Sequence, residues 1–360
     1  MHACLVLEDG TVVKGAGFGA EKEVLGEVVF NTSMSGYQEA LTDPSYKGQI
    51  LILTYPLVGN YGVNPDDFES EKIKVEGFVV REYCHFPSHR KGEKTIDEFL
   101  KENYIPGISG VDTRALTIKI RKYGTMKGAL KTSKKEIAPE GLVVKAKEQP
   151  DISELDLVKL VTIPRIKRYG KKSGPNIVMI DCGTKLSIIE NLLKRDVNVA
   201  AVPAHTSHKD ILDLEPDGIV VSNGPGDPMM ADYAVKTLKN LLEELPIFGI
   251  CFGNQLLALA AGGKTYKLKF GHRGSNQPVK DLATGRVYIT SQNHGFAVDA
   301  KSLEGTGFEV SHINPNDGSV EGMTHKELPI FSVQYHPEAH PGPWDSNYLF
   351  DEFLKLVRGE

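Results

Sequence analysis

Cys251 stands in "GICFGNQ" (249–255), between two glycines, after one apolar run and before another. A thiol is a candidate nucleophile whose reactivity follows its ionisation and its access to an electrophile. Far along the chain, "PIFSVQYHPEAHPGP" (329–343) places His336 and Glu338 two residues apart in a segment that alternates like a strand. Side chains two apart on extended chain face the same way. Pro337 biases His336 toward that extended conformation. Glu338 can then accept a hydrogen bond from the imidazole, set its tautomer and leave the other nitrogen for a thiol. Cysteine, histidine and carboxylate together suit attack on a carbonyl carbon.

Such a set needs a scaffold. The run 247–250 reads as a strand, and 255–261 is apolar nearly all round, as a buried helix would be. Cys251 therefore falls on a strand-to-helix corner, the form of a nucleophile elbow. Gly249 and Gly253 permit close backbone approach and unusual φ angles. The positive end of the helix favours a thiolate and can hold an oxyanion. Cys182 ends a strand before Gly183 but fits a small core residue better, and Cys4 and Cys84 lack the elbow context. His205, His208, His272, His294, His312, His325 and His340 read as loop or satisfied core groups.

The elbow sits in a regular rhythm. Strand-like runs at 176–183, 197–203, 217–222 and 246–250 alternate with helical runs at 185–195, 208–216 and 231–245. That pattern predicts a parallel sheet wrapped by helices, with all strand C-terminal ends on one edge. The loop "SNGPGDP" (222–228) and the elbow both fall on that edge, where open α/β sheets bind ligands. The first half is mixed α/β without such alternation. It has a hairpin at Asp9–Gly10 and helices at 95–103 and 111–124. The predicted division is a first domain at 1–150, a linker at 151–173 and a second domain at 174–360.

The 360 residues suffice for two cores. A net charge of −5 gives no support for nucleic-acid or membrane-surface binding. The beginning of the sequence does not read as a signal peptide, and no run is long enough to span a bilayer. Four scattered cysteines without CxxC argue against a disulfide framework or a zinc site, and for a reducing cytoplasm. A Walker-type phosphate loop is absent.

"SNGPGDP", "GICFGNQ" and "VQYHPEA" in this order resemble the class I glutamine amidotransferase domain over roughly residues 174–360. The resemblance implies hydrolysis of the glutamine side-chain amide through a γ-glutamyl thioester, with release of ammonia. It makes Cys251 the nucleophile, His336 the acid/base and Glu338 its orienting partner. Residues 26–64 and 107–128, with "KFGHRGSNQPV" (269–279) and "SQNHGFAVD" (291–299), resemble the small subunits of carbamoyl-phosphate synthetases. That implies a large partner subunit forming carbamoyl phosphate from bicarbonate, ammonia and ATP, for arginine and pyrimidine synthesis. Ammonia would reach the partner through an internal tunnel. ATP and Mg²⁺ are expected on the partner, with no cofactor or metal in this chain. The implied glutamine-binding residues are Ser45, Gly224, Gly226, Phe252, Gln255, Asn293, Gly295 and Phe296. The N–H of Phe252 and one from the Gly224 loop are the implied oxyanion donors.

Three positions depart from the family pattern: Phe252 where leucine is usual, Asn254 where histidine is usual, and His340 where serine is more typical. Competing readings are an amidotransferase for GMP, anthranilate or CTP synthesis, a catalytically silent subunit, or a γ-glutamyl hydrolase without a partner. The first half argues against the first of these and the intact Cys–His–Glu set against the second.

Overall fold

A computed structural model describes residues 1–170 and 173–360. The chain forms two compact units, Met1–Leu155 and Asp156–Glu360. The division falls inside the predicted linker, and residues from Asp156 onward pack with the second unit. Val158 joins its core, and the Ile163 amide donates to Asp181 Oδ2 at 2.6 Å.

The first unit is built on strands β1 (His2–Leu7), β2 (Val12–Gly19), β3 (Glu23–Asn31), β4 (Gln49–Leu53), β5 (Leu57–Val58), β6 (Gly77–Val79), β7 (Glu82–Tyr83), β8 (Pro106–Ser109) and β9 (Met126–Ser133). Seven of them close into a barrel in the order β1-β2-β8-β6-β4-β3-β9, while β5 and β7 pair with each other. The β1–β2 hairpin turns at Gly10, whose φ of 89° favours glycine. Helices α1 (Tyr37–Thr42), α2 (Ile96–Glu102), α3 (Thr113–Tyr123) and α4 (Glu140–Glu148) accompany the barrel. α2 begins with a reciprocal Thr95/Glu98 capping box and buries Phe99 and Leu100 in the core with Phe18 and Phe78. Leu142 and Ala146 of α4 cover Cys4, Val6 and Ala129.

The second unit carries a ten-stranded sheet: β10 (Lys167–Tyr169), β11 (Asn176–Asp181), β12 (Asn198–Pro203), β13 (Gly218–Val221), β14 (Ile247–Ile250), β15 (Thr265–Asp281), β16 (Val287–Val298), β17 (Phe308–Ile313), β18 (Val320–His325) and β19 (Ile330–Val333). Its order is β10-β12-β11-β13-β14-β19-β18-β17-β15-β16. The centre, β12-β11-β13-β14-β19, is parallel, and antiparallel strands extend both ends. Period-two burial explains why the central strands read as unbroken apolar runs. On β11, Val178 and Ile180 face one core, and Ile177 and Met179 face the other. Helices α5 (Leu186–Leu193), α6 (His208–Leu212), α7 (Asp232–Lys239), α8 (Phe252–Ala260) and α9 (Leu349–Arg358) complete the unit. α7 and α8 contribute to the first of these cores, and α5 and α9 to the second. The strand order reverses between β11 and β13, so the carboxyl ends of β11, β13, β14 and β19 make the crevice typical of this architecture. No helix among the described residues is long and apolar enough to cross a membrane.

Candidate active site

The elbow forms as the sequence predicts. β14 ends at Ile250, α8 begins at Phe252, and Cys251 between them takes φ 55°, ψ −100°. A positive φ is strained for a residue with a side chain. The glycines have a different task from the one expected of their φ angles, since the unusual torsion belongs to the cysteine. They allow close approach. A Cβ on Gly253 would lie 2.2 Å from the Val221 carbonyl oxygen, and one on Gly249 would lie 2.6 Å from Leu257 Cδ1. The corner is pinned by the Cys251 amide, which donates to the Val333 carbonyl at 2.8 Å. The first-turn amides of Phe252 and Gly253 have no carbonyl inside α8 to bond.

β19 lies beside β14, so the segment that follows it passes the elbow. His336 bridges to Ser291 through its backbone amide at 2.9 Å. Its Nδ1 is 2.6 Å from Glu338 Oε1. Nε2 is buried with no conventional hydrogen-bond partner. Burial favours a neutral imidazole, but Glu338 and then Cys251 outweigh it and raise His336 to about 10. For Glu338, burial favours the neutral acid, but Lys185 and then His336 outweigh it and hold the carboxyl at about 2. The geometry therefore supports an ionised Glu338 beside a protonated His336.

Two contributors were not read from the sequence. Lys185 Nζ reaches Glu338 Oε1 at 2.9 Å, with both side chains buried. The residues are 153 positions apart, and only the adjacency of the β11 and β19 loops joins them. Gln334 donates from Nε2 to Cys251 Sγ at 3.6 Å, and accepts at Oε1 from Asn254 Nδ2 at 3.2 Å and from Gln255 Nε2 at 3.1 Å. Asn254 also accepts from Ser332 Oγ at 2.9 Å, so this departure is a buried packing group.

The other expected residues divide by location. Gly224 abuts the elbow, because a Cβ there would meet the Cys182 carbonyl oxygen at 2.6 Å and Phe252 Cδ1 at 3.2 Å. Gly226 holds φ 80° beside Leu157. The Asn293 carbonyl lies 3.7 Å from Cys251 Sγ. The Phe296 carbonyl accepts from Gln255 Nε2 at 2.8 Å, which turns that amide group toward the protein. A Cβ on Gly295 would sit 3.1 Å from Arg273 Nη2. Ser45 belongs to the first unit, in the turn Pro44–Tyr46, where its amide donates to Asp43 Oδ1 at 2.9 Å. All four cysteines are free thiols, and burial pushes the Cys182 thiol well above its ordinary range, in keeping with a core role.

Residues 5–130 match the family described as carbamoyl-phosphate synthase small chain, CPSase domain, and residues 178–356 match glutamine amidotransferase class-I. Full-length relatives share both parts. Proteins named carbamoyl phosphate synthase small chain from Archaeoglobus fulgidus and Methanopyrus kandleri are each 55% identical, over 358 and 360 residues. One of the same name from Methanocaldococcus jannaschii is 56% identical over 361 residues. In all three the match covers 99% of this chain and 99% of the relative. With an elbow cysteine, a paired histidine and carboxylate, and both halves matched end to end, the chain belongs to the carbamoyl phosphate synthase small-chain family.

Proposed function

We propose that this chain hydrolyses L-glutamine and supplies the ammonia to a carbamoyl-phosphate synthetase large subunit. The supporting observation is the buried Cys251–His336–Glu338 set at adjacent strand ends. The Cys251 thiolate adds to the side-chain amide carbon of glutamine, forming a C–S bond as the carbonyl electron pair moves to oxygen. Amides of Phe252 and the Gly224 loop are the proposed donors to that oxyanion. His336 gives its Nε2 proton to the amide nitrogen, the C–N bond breaks and ammonia leaves, with a γ-glutamyl thioester behind it. His336 then takes a proton from water, hydroxide adds to the thioester, and the C–S bond breaks to release glutamate and the thiolate. Glu338 keeps the imidazole in one tautomer throughout.

Ser45, Gly226, Gln255, Asn293, Gly295 and Phe296 are the proposed contacts for the rest of the glutamine. The partner would hold ATP and Mg²⁺ and combine bicarbonate with the delivered ammonia, in the cytoplasm. The test is ammonia release from glutamine by the chain alone and with a large subunit, ATP and bicarbonate. Stimulation by the partner with carbamoyl phosphate formed is expected. Cys251→Ser should abolish glutamine-dependent synthesis and leave ammonia-dependent synthesis intact. Equal hydrolysis with and without the partner, or loss of both activities in Cys251→Ser, would refute the division of labour.

A further inference from the structure

Behind Asn293 lies a second buried cluster with no part in the steps above. His272 of β15 pairs directly across from His294 of β16, and their rings meet edge to face at 5.0 Å. Glu321 of β18 completes the group, and one ligand atom from each of the three lies within 4.8 Å of the others. All three side chains are buried.

The outer atom of every member is held from behind. His272 Nε2 is 2.9 Å from Asp317 Oδ2. His294 Nδ1 is 2.8 Å from the Phe296 carbonyl oxygen, so that nitrogen carries the hydrogen. Gln292 Nε2 donates to Glu321 Oε2 at 3.0 Å and to Thr290 Oγ1 at 3.2 Å. The inner atoms are then His272 Nδ1, His294 Nε2, Glu321 Oε1 and Gln292 Oε1. His294 Nε2, with its lone pair, faces the Gln292 oxygen at 3.1 Å. Two acceptors at that distance repel unless something positive lies between them.

Rearranging protons among the histidines does not relieve this. A doubly protonated His272 satisfies Asp317 and Glu321 but leaves the His294–Gln292 conflict. A second imidazolium at His294 would set two buried cations ring to ring. Turning the Gln292 amide over faces its oxygen to Glu321 Oε2 and moves the conflict there.

We infer that His272, His294, Glu321 and Gln292 form a binding site for a divalent cation of the zinc class. Two imidazoles and one carboxylate are a donor set that zinc accepts, and the Gln292 amide oxygen would take the fourth position. Zinc bonds of about 2.0–2.1 Å put tetrahedral ligands about 3.4 Å apart. Against that spacing, His272 Nδ1 and Glu321 Oε1 are 3.2 Å apart, His294 Nε2 and Glu321 Oε1 4.0 Å, and His294 Nε2 and Gln292 Oε1 3.1 Å. Asp317, the Phe296 carbonyl and the Gln292 amide group supply the outer hydrogen bonds that orient metal ligands.

The test uses the full chain carrying Cys251→Ser, so that the active-site thiol takes up no metal. Metal-free protein is titrated with Co²⁺ and then Zn²⁺. One Co²⁺ per chain, with the intense visible bands of a four-coordinate nitrogen–oxygen site displaced by Zn²⁺, is the expected result. His272→Ala should remove the bands. Asp317→Asn, at a half-exposed side chain, should weaken binding by about 10–100-fold and fold normally. A Co²⁺ spectrum no different from that of the aqueous ion, or affinity unchanged by Asp317→Asn, overturns the inference. So does an infrared protonated-carboxyl band, lost in Glu321→Gln, in a chain that takes up no metal, since a proton on Glu321 would then resolve the conflict.

Discussion

Replacing Lys185 with methionine removes a buried cation from Glu338 while keeping most of the side-chain volume. Lys185 and His336 together hold Glu338 at about 2 against an ordinary 4.5. At about 1.36 kcal/mol per pH unit, that difference is about 3 kcal/mol. The Lys185 charge is the largest single effect that lowers Glu338, so its removal should cost on the order of 2 kcal/mol. For a unit of this size the loss lowers Tm by about 4–8 °C. The sign with pH follows from the direction of the shift. A carboxyl held low stabilises the native state above its ordinary pKa, and that contribution is lost as pH falls toward about 2. In Lys185→Met the loss begins at higher pH. His336 responds in the opposite sense. Its raised pKa stabilises the imidazolium fully below about 6.5 and loses that contribution as pH rises through about 10; Glu338 stays ionised there in Lys185→Met, so this upper limit does not fall. Steady-state glutaminase kinetics from pH 4 to 10 should show the acid limb of kcat/KM moved to higher pH while the alkaline limb does not move inward, with a fall of up to about thirtyfold at the optimum. Ammonia-dependent synthesis with the partner serves as the control and should stay constant. An unchanged Tm together with an unchanged pH profile would refute the role given to this ion pair.

Gly253→Ala should destabilise the second unit by about 3 kcal/mol or more, read by denaturant melts, because the new methyl would meet the Val221 carbonyl oxygen at 2.2 Å. Gln334→Leu removes the side-chain donor to Cys251 Sγ and should slow iodoacetamide alkylation of that sulfur by roughly fivefold, equivalent to about 1 kcal/mol. Unchanged alkylation would refute a role for the 3.6 Å contact in the reactivity of that sulfur.

The legible parts of this protein are those written in short stretches of chain. The elbow needs only a strand, a cysteine between small residues and a helix, all inside 247–261. The His336–Glu338 pair needs two residues and a proline. The parallel centre follows from apolar runs alternating with amphipathic ones. Closure of the first unit into a barrel was not legible, because it depends on β1 pairing with β9 across more than a hundred residues. Lys185 was not legible, since the carboxylate that holds it is 153 positions away. His272 has no carboxylate beside it in sequence and two beside it in space, Asp317 and Glu321, because the antiparallel extension brings β15 and β18 together. Asn254 departs from the family pattern, and its meaning became clear only from Ser332 and Gln334 on the neighbouring strand segment.

Cys251 and His336 sit just past the ends of two neighbouring parallel strands, β14 and β19. Adjacent strands lie about 4.8 Å apart, a spacing set by backbone hydrogen bonds and independent of side chains. The spacing of the two segments that carry Cys251 and His336 is thus inherited from the ladder itself. That spacing lasts as long as those strands stay zipped. The Cys251 amide, bonded to Val333, is an internal gauge of that state. Its hydrogen exchange and the loss of glutaminase activity on heating should follow one curve, as readouts of a single cooperative opening.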